Sequence, residues 1–236
     1  MIMAAGRGIR MMPLTESMPK AMAPYRGSTL IAGGIEEVRK HIPFVHVTVG
    51  YRGAMLAEHV IKHGASTVFN TEGHGNCWWL YNTFLGLLDE AVCVLTCDNV
   101  VELDFDLLQH EYDRIGRPAC MIVPVRPVPG LDGDYIFETR QVIDRLDRDD
   151  PAPTYCSGIQ VVNPCRTRQL TAEVEDFNSL WAQLIENSQL CVSRVYPQRW
   201  FTVDSVAQLA RLEQLGVTWQ TSAQEGRAMP GGVDPN

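Results

Sequence analysis

Over the first two thirds of the chain, short apolar runs alternate with segments whose apolar positions recur every three or four residues. The runs are Ile2–Ala4, Phe44–Val49, Ser66–Phe69, Ala91–Thr96 and Cys120–Val125, several of them β-branched, and they predict strands. The segments between them, Leu30–His41, Met55–His63, Cys77–Leu88 and Phe105–Ile115, have helical spacing. Strands separated by helices imply crossover connections, hence a mostly parallel sheet with helices on both faces.

The pattern changes after Pro127. Pro129, Gly130 and Gly133 make a loop, and Tyr135–Glu138 and Val142–Leu146 flank Thr139–Gln141 as an antiparallel hairpin. Further strands are predicted at Tyr155–Val162 and Cys191–Tyr196, with a helix over Phe177–Asn187 between them. A closing helix spans Val206–Leu215, capped by Ser205 and ended by Gly216. The expected architecture is one α/β domain over 1–216, mixed but mostly parallel. Its nucleotide-binding half is 1–125, and 126–204 is a smaller β-rich insertion over the carboxyl edge of the sheet. Residues 217–236, polar and rich in Gly and Pro towards the end, read as a tail.

Composition narrows the function classes. The chain has 236 residues, 45% of them hydrophobic, which is enough to bury a core without staples. A net charge of −8 argues against a nucleic-acid surface. Seven cysteines without framework spacing fit reduced thiols better than a disulfide or metal framework. No apolar run reaches the roughly 18 to 20 residues of a membrane span, and no signal peptide precedes the first strand. A cytoplasmic protein without a membrane partner is expected, with a homo-oligomer left open.

The most chemically loaded stretch lies immediately after the first strand, where a parallel α/β sheet binds its ligands. Gly6 and Gly8 permit turns and close approach, and successive amides there can form a nest for phosphate oxygens. Arg10 adds a planar donor fork and Lys20 a point charge ten residues later. Two such cations can divide the work, one on the leaving phosphates and one on the α-phosphorus under attack. Composition alone leaves a solvated Gly/Pro surface loop as an equal reading. No Walker lysine follows Gly8 and no G-x-G-x-x-G is present, so a P-loop ATPase and a dinucleotide site both fit poorly.

Ala4-Ala5-Gly6-Arg7-Gly8-Ile9-Arg10, Pro13-Leu14-Thr15 and Pro19-Lys20 resemble, in order and spacing, the signature of the sugar-phosphate and phosphocholine nucleotidyltransferases. Val49-Gly50-Tyr51 is similar to a corner of the phosphocholine branch. Thr96-Cys97-Asp98-Asn99 and Val203-Asp204-Ser205 resemble the segments carrying that family's two magnesium-binding aspartates, and Ser157-Gly158-Ile159 its acceptor segment. The resemblance implies a Rossmann-like fold, bound Mg²⁺, and transfer of NMP from an NTP to a phosphorylated small molecule with release of pyrophosphate.

The residues carry part of this independently. A carboxylate at the end of a buried strand is costly unless paired or metal-bound, which applies to Asp98 and Asp204. Two such groups can share one Mg²⁺, although each can also cap a turn or helix. By the resemblance, Ala4, Ala5, Gly6, Gly8, Arg10, Asn70, Gly75 and Asn76 would bind nucleotide. Gly158, Arg145 and Trp78 would face the acceptor. Here the chain departs from the sugar-specific pattern: Asn76 precedes two tryptophans, and no E-K-P occurs in the insertion. These departures favour CTP and a phosphorylated amino alcohol over a sugar 1-phosphate. Trp78 and Trp79 can form an aromatic wall for a cation or simply pack, and Arg145 can replace the missing lysine or be a solvated hairpin residue. A non-catalytic nucleotide sensor of the same fold is the alternative from another class.

Overall fold

The computed structural model describes residues 1–131 and 133–225. Strand β1 (Ile2–Met3) leads into the glycine loop, followed by a small hairpin of β2 (Pro24–Tyr25) and β3 (Ser28–Thr29). Helix α1 (Leu30–Arg39) begins where Thr29 accepts the Ala32 N–H. Then follow β4 (His46–Val49), α2 (Gly53–Lys62), β5 (Thr67–Asn70), α3 (Trp78–Asn82) and β6 (Val92–Thr96). Next come β7 (Asn99–Glu102), α4 (Phe105–Arg114), β8 (Cys120–Val125), and the hairpin β9 (Tyr135–Thr139) with β10 (Val142–Asp147). Strand β11 (Tyr155–Val162), α5 (Pro164–Leu170), α6 (Phe177–Glu186), β12 (Leu190–Val192), β13 (Arg199–Thr202) and α7 (Val206–Glu225) complete the chain.

Nine strands form one sheet in the order β5-β4-β1-β6-β11-β8-β12-β10-β9. Strands β5, β4, β1 and β6 are parallel, β11 runs against both its neighbours β6 and β8, and β12 is again parallel to β8. Side-chain alternation along each strand divides the core between the two faces. Met121 and Val123 pack with Ile31 and Ile35 of α1, Leu56 of α2 and Leu108 of α4. Cys120 and Ile122 pack on the opposite face with Trp79, Leu180, Trp181 and Leu184. The expected mixed, mostly parallel architecture is present.

Four expectations need correction. The predicted insertion is continuous with the main sheet, since β10 pairs with β12 and β9 with β11. The predicted helix Cys77–Leu88 breaks at Thr83, whose hydroxyl donates to Trp79 O and accepts the Leu85 N–H, and a 3-10 turn, Phe84–Leu87, follows. The strand predicted at Cys191–Tyr196 stops at Val192, because the Ser193 hydroxyl accepts the Val195 N–H and turns the chain. Gly216 does not end the last helix, which continues to Glu225, so 217–225 is not tail. The rest of the predicted tail, 226–236, lies outside the described residues.

Strand β7, which was not predicted, pairs with β13, the run that precedes Asp204, as a separate antiparallel ribbon at the carboxyl end of β6. Thr202 lies opposite Asn99, and Val203 donates its N–H to Asp98 O at 3.0 Å. The ribbon therefore brings the residue before β7 beside the residues that leave β13.

Candidate active site

The carboxyl ends of β1, β4, β5 and β6 open into a cavity of about 710 Å³. The glycine loop forms one wall, Thr71–Asn76 another, and Thr96–Asp98 with Asp204 the back. Ala4 lies buried beneath it, with its N–H donated to Thr48 O at 3.2 Å, and Ala5 O accepts the Tyr51 N–H at 3.1 Å. Gly50 is required at that corner, because a Cβ there would come within 2.7 Å of Ala5 O.

The loop folds back on itself at Gly8, which takes φ 68° and ψ 46°. A Cβ at Gly8 would meet the Cβ of Lys20 at 2.6 Å, so the glycine is what lets Lys20 lie across the loop. Thr15 closes the same turn by donating its hydroxyl to Gly8 O at 2.9 Å, and Tyr51 donates its hydroxyl to Thr15 O at 3.0 Å. Two prolines and these cross-bonds hold a loop that composition alone left free to be a solvated turn.

At the back of the cavity, the buried Lys20 ammonium donates to Asp98 Oδ2 at 2.5 Å and Asp204 Oδ1 at 2.7 Å. Asp98 and Asp204, far apart in the chain, thus meet around one cation. Burial acts to lower the Lys20 pKa, but the charges of the two carboxylates and their hydrogen bonds outweigh it and raise the value above that of an ordinary lysine. Arg10 reaches the same Asp204 Oδ1 at 2.9 Å from a side chain that is 70% exposed. An exposed pair of this kind contributes little, about 0–1 kcal/mol. The Arg10 fork is therefore available to a ligand at small cost, whereas Lys20 is held firmly.

Of the residues singled out from sequence, Ala5, Gly6, Gly8, Arg10, Lys20, Gly75, Asn76, Asp98 and Asp204 line this one cavity. The others do different work. Asn70 turns its amide oxygen back to accept the Glu72 N–H at 3.1 Å and does not line the cavity. The Asn76 amide oxygen accepts the Phe177 N–H at 3.0 Å, which makes it a structural bond. Trp78 lies outside the cavity and stacks on His74, with ring centroids 4.4 Å apart, while Trp79 is wholly buried in the core. Arg145 is corrected outright: it sits on the β9–β10 hairpin, paired with Asp147 at 2.7 Å and with Asp150, over the Phe137 ring, and away from the cavity.

Gly158 lies just behind the site. It sits at φ 79° in a bulge of β11, and a Cβ there would meet Asn99 Nδ2 at 3.1 Å and Thr96 Oγ1 at 3.4 Å. Asn99 Nδ2 and Trp200 Nε1 both donate to Ser157 O, at 2.8 and 2.9 Å, and tie this bulge to the ribbon. A second recess, of about 500 Å³ and lined by Val125, Arg126, Tyr196 and Trp200 among others, opens at the end of β8. Sequence reading missed that recess, because its basic and aromatic residues come from two stretches far apart in the chain.

Residues 1–160 match the family described as the MobA-like NTP transferase domain. The chain belongs to this family. It carries the nucleotidyltransferase domain that the opening motifs implied. It is 32% identical over 112 residues to the bifunctional protein GlmU of Methanocaldococcus jannaschii, covering 47% of this chain and 28% of that one. To GlmU of Methanococcus maripaludis strain S2 it is 36% identical over 58 residues, 25% of this chain and 14% of that one. The chain thus spans under a third of the length of these curated relatives.

Solved structures share its fold. The CTP:phosphocholine cytidylyltransferase LicC of Streptococcus pneumoniae superposes with a TM-score of 0.71 at 21% identity, over 91% of this chain and 96% of that one. A glucose-1-phosphate thymidylyltransferase of Bacillus anthracis gives 0.73 at 15% identity, over 98% and 96%. The inositol-1-phosphate CTP transferase of T. maritima gives 0.71 at 15%, over 91% and 92%. Among the described residues no helix is long and apolar enough to cross a membrane.

Proposed function

We propose that the protein transfers CMP from CTP to a phosphorylated small molecule, and that Asp98 and Asp204 are the residues that would hold a Mg²⁺ ion. The observation that carries this is the convergence of both carboxylates on the Lys20 ammonium at the back of a cavity walled by the glycine loop. Paired hard oxygens beside an open cavity suit Mg²⁺, which keeps several waters and takes phosphate oxygens as further ligands. When bound, the ion would neutralise charge on the triphosphate.

The protein's own groups account for the rest. The loop from Gly6 to Gly8 receives phosphate oxygens, Arg10 draws the leaving β,γ-phosphates, and Lys20 stabilises charge developing at the α-phosphorus. The acceptor's phosphate is already a competent nucleophile at neutral pH, so no general base is needed. Catalysis rests on in-line positioning and charge. Two of the three fold neighbours above act with CTP by their names, on phosphocholine and inositol 1-phosphate, which supports the lean away from a sugar 1-phosphate.

The test is pyrophosphate release over a matrix of the four common NTPs and dTTP against phosphocholine, phosphoethanolamine, inositol 1-phosphate and hexose 1-phosphates, with Mg²⁺. Turnover with CTP and a non-sugar acceptor is expected. Turnover confined to UTP, GTP or dTTP with sugar phosphates would overturn the base and acceptor assignments. Thermal stabilisation by nucleotide without any turnover would point to the sensor.

A further inference from the structure

Two demands on Lys20 exclude each other. Its ammonium donates to Asp98 Oδ2 at 2.5 Å and to Asp204 Oδ1 at 2.7 Å, yet the proposed reaction needs the same ammonium on the triphosphate. Arg10 adds a second cation on that Asp204 oxygen, at 2.9 Å. Two acids thus face two cations, and the cluster carries no net charge. A divalent ion that approaches it in the free protein gains little, because the oxygens it needs are already bonded to the ammonium.

The acids are not free to move apart. Val203 donates its N–H to Asp98 O at 3.0 Å, and the Asp204 N–H goes to Gln208 Oε1 at 2.6 Å, so the two backbones are fastened together. Nor does the protein supply a fuller cage: among the described residues no group of three or more His, Cys, Asp or Glu could hold a metal ion. Two carboxylates leave most of a magnesium shell to water and phosphate oxygens. The lysine stem meanwhile runs along the glycine loop, where its Cβ, Cγ and Cδ lie within 3.1 Å of the position that a Cβ on Gly8 would take. A triphosphate seated on that loop offers its oxygens beside this stem.

We propose that Lys20 is a resident stand-in for the divalent ion, which closes the Asp98–Asp204 pair to free metal and yields it only to metal that arrives with a triphosphate. The phosphates draw the ammonium off the acids as the ion takes its place, so the paired carboxylates are never left bare. The inference rests on the proposed nucleotide and metal sites and adds the order in which they fill. Removing the lysine charge then helps free metal to bind and harms the nucleotide complex, whereas loss of a merely structural lysine would weaken both.

The test titrates Mn²⁺, an oxygen-seeking ion whose free form is counted by electron paramagnetic resonance, into the full chain, alone and as its CTP complex. Lys20→Met keeps the stem and loses the charge. It should bind free Mn²⁺ at least about tenfold more tightly than wild type, and Mn²⁺–CTP at least about tenfold more weakly. Asp98→Asn in the Lys20→Met chain should remove the gain. Free Mn²⁺ bound no more tightly by Lys20→Met than by wild type, a gain that survives Asp98→Asn, or changes of the same sign in both titrations would overturn the stand-in role. Should Lys20→Met be unfolded alone, Mn²⁺ must restore its circular dichroism, and no recovery would overturn the role equally. Wild type that fails to bind Mn²⁺–CTP would overturn the nucleotide site itself, and the exchange with it.

Discussion

Lys20 holds the back of the site together, yet it is a single side chain lying across one glycine. Its ammonium satisfies both Asp98 and Asp204, and Gly8 gives it room. Lys20→Ala should lower kcat by at least 10²-fold, measured as pyrophosphate release, while far-UV circular dichroism stays that of the wild type. Near-normal turnover would remove Lys20 from the chemistry. Its raised pKa also sets a sign. The stability that its ion pairs add is fully present below the ordinary lysine value and is lost only as pH climbs through the higher folded-state value. Acid sensitivity must therefore come from other groups.

One such group works at the scale of elements. Glu111 on α4 accepts from Arg114 at 2.7 and 2.8 Å, from Gln141 at 2.8 Å and from the Arg194 N–H at 3.1 Å. It thereby fastens the helix to the β9–β10 hairpin and to the segment leaving β12. The Arg114 bonds foremost, against the opposing effect of burial, hold its carboxyl at about 2. A depressed carboxylate contributes stability above its unfolded value of 4.5 and loses it as pH falls from there towards 2. Glu111→Gln should cost about 2–3 kcal/mol in urea unfolding at pH 7, with the gap to wild type closing below pH 4.

The elements also mark what could be read from the chain alone. Strands such as Cys120–Val125 and the helix starting at Leu30 announced themselves by periodicity, and the glycine loop by its residue types. The ribbon of β7 and β13 did not. Each is only four residues long, and their pairing is a long-range event that no local pattern encodes. Helix α5 carried a readable signal, an Asn163 cap followed by Pro164, that went unused. Arg145 and Asn70 looked like ligands by type, but satisfying their neighbours decided their roles.

For the molecule as a whole, the family-matched residues 1–160 are not a self-sufficient body. They lack β12 and β13; with α6 they lose Leu180, Trp181 and Leu184, and with β12 Leu190, from one face of the core. Large buried side chains lost together exceed the net stability of a domain. A chain ended at residue 160 should show no cooperative thermal transition by calorimetry, whereas one ended at 225 should melt like the full chain. A sharp transition in the shorter chain would mean that the second half of the sheet is dispensable.

The ribbon that joins Asp98 to Asp204 also has a consequence during synthesis. The glycine loop and the first carboxylate emerge from the ribosome before the second carboxylate, which follows only after nearly the whole sheet has been made. Until then Lys20 faces one acid instead of two, and the half-made protein has the cradle without its full set of charges. If the proposed activity holds, its appearance in newly made chains would time the closing of the ribbon.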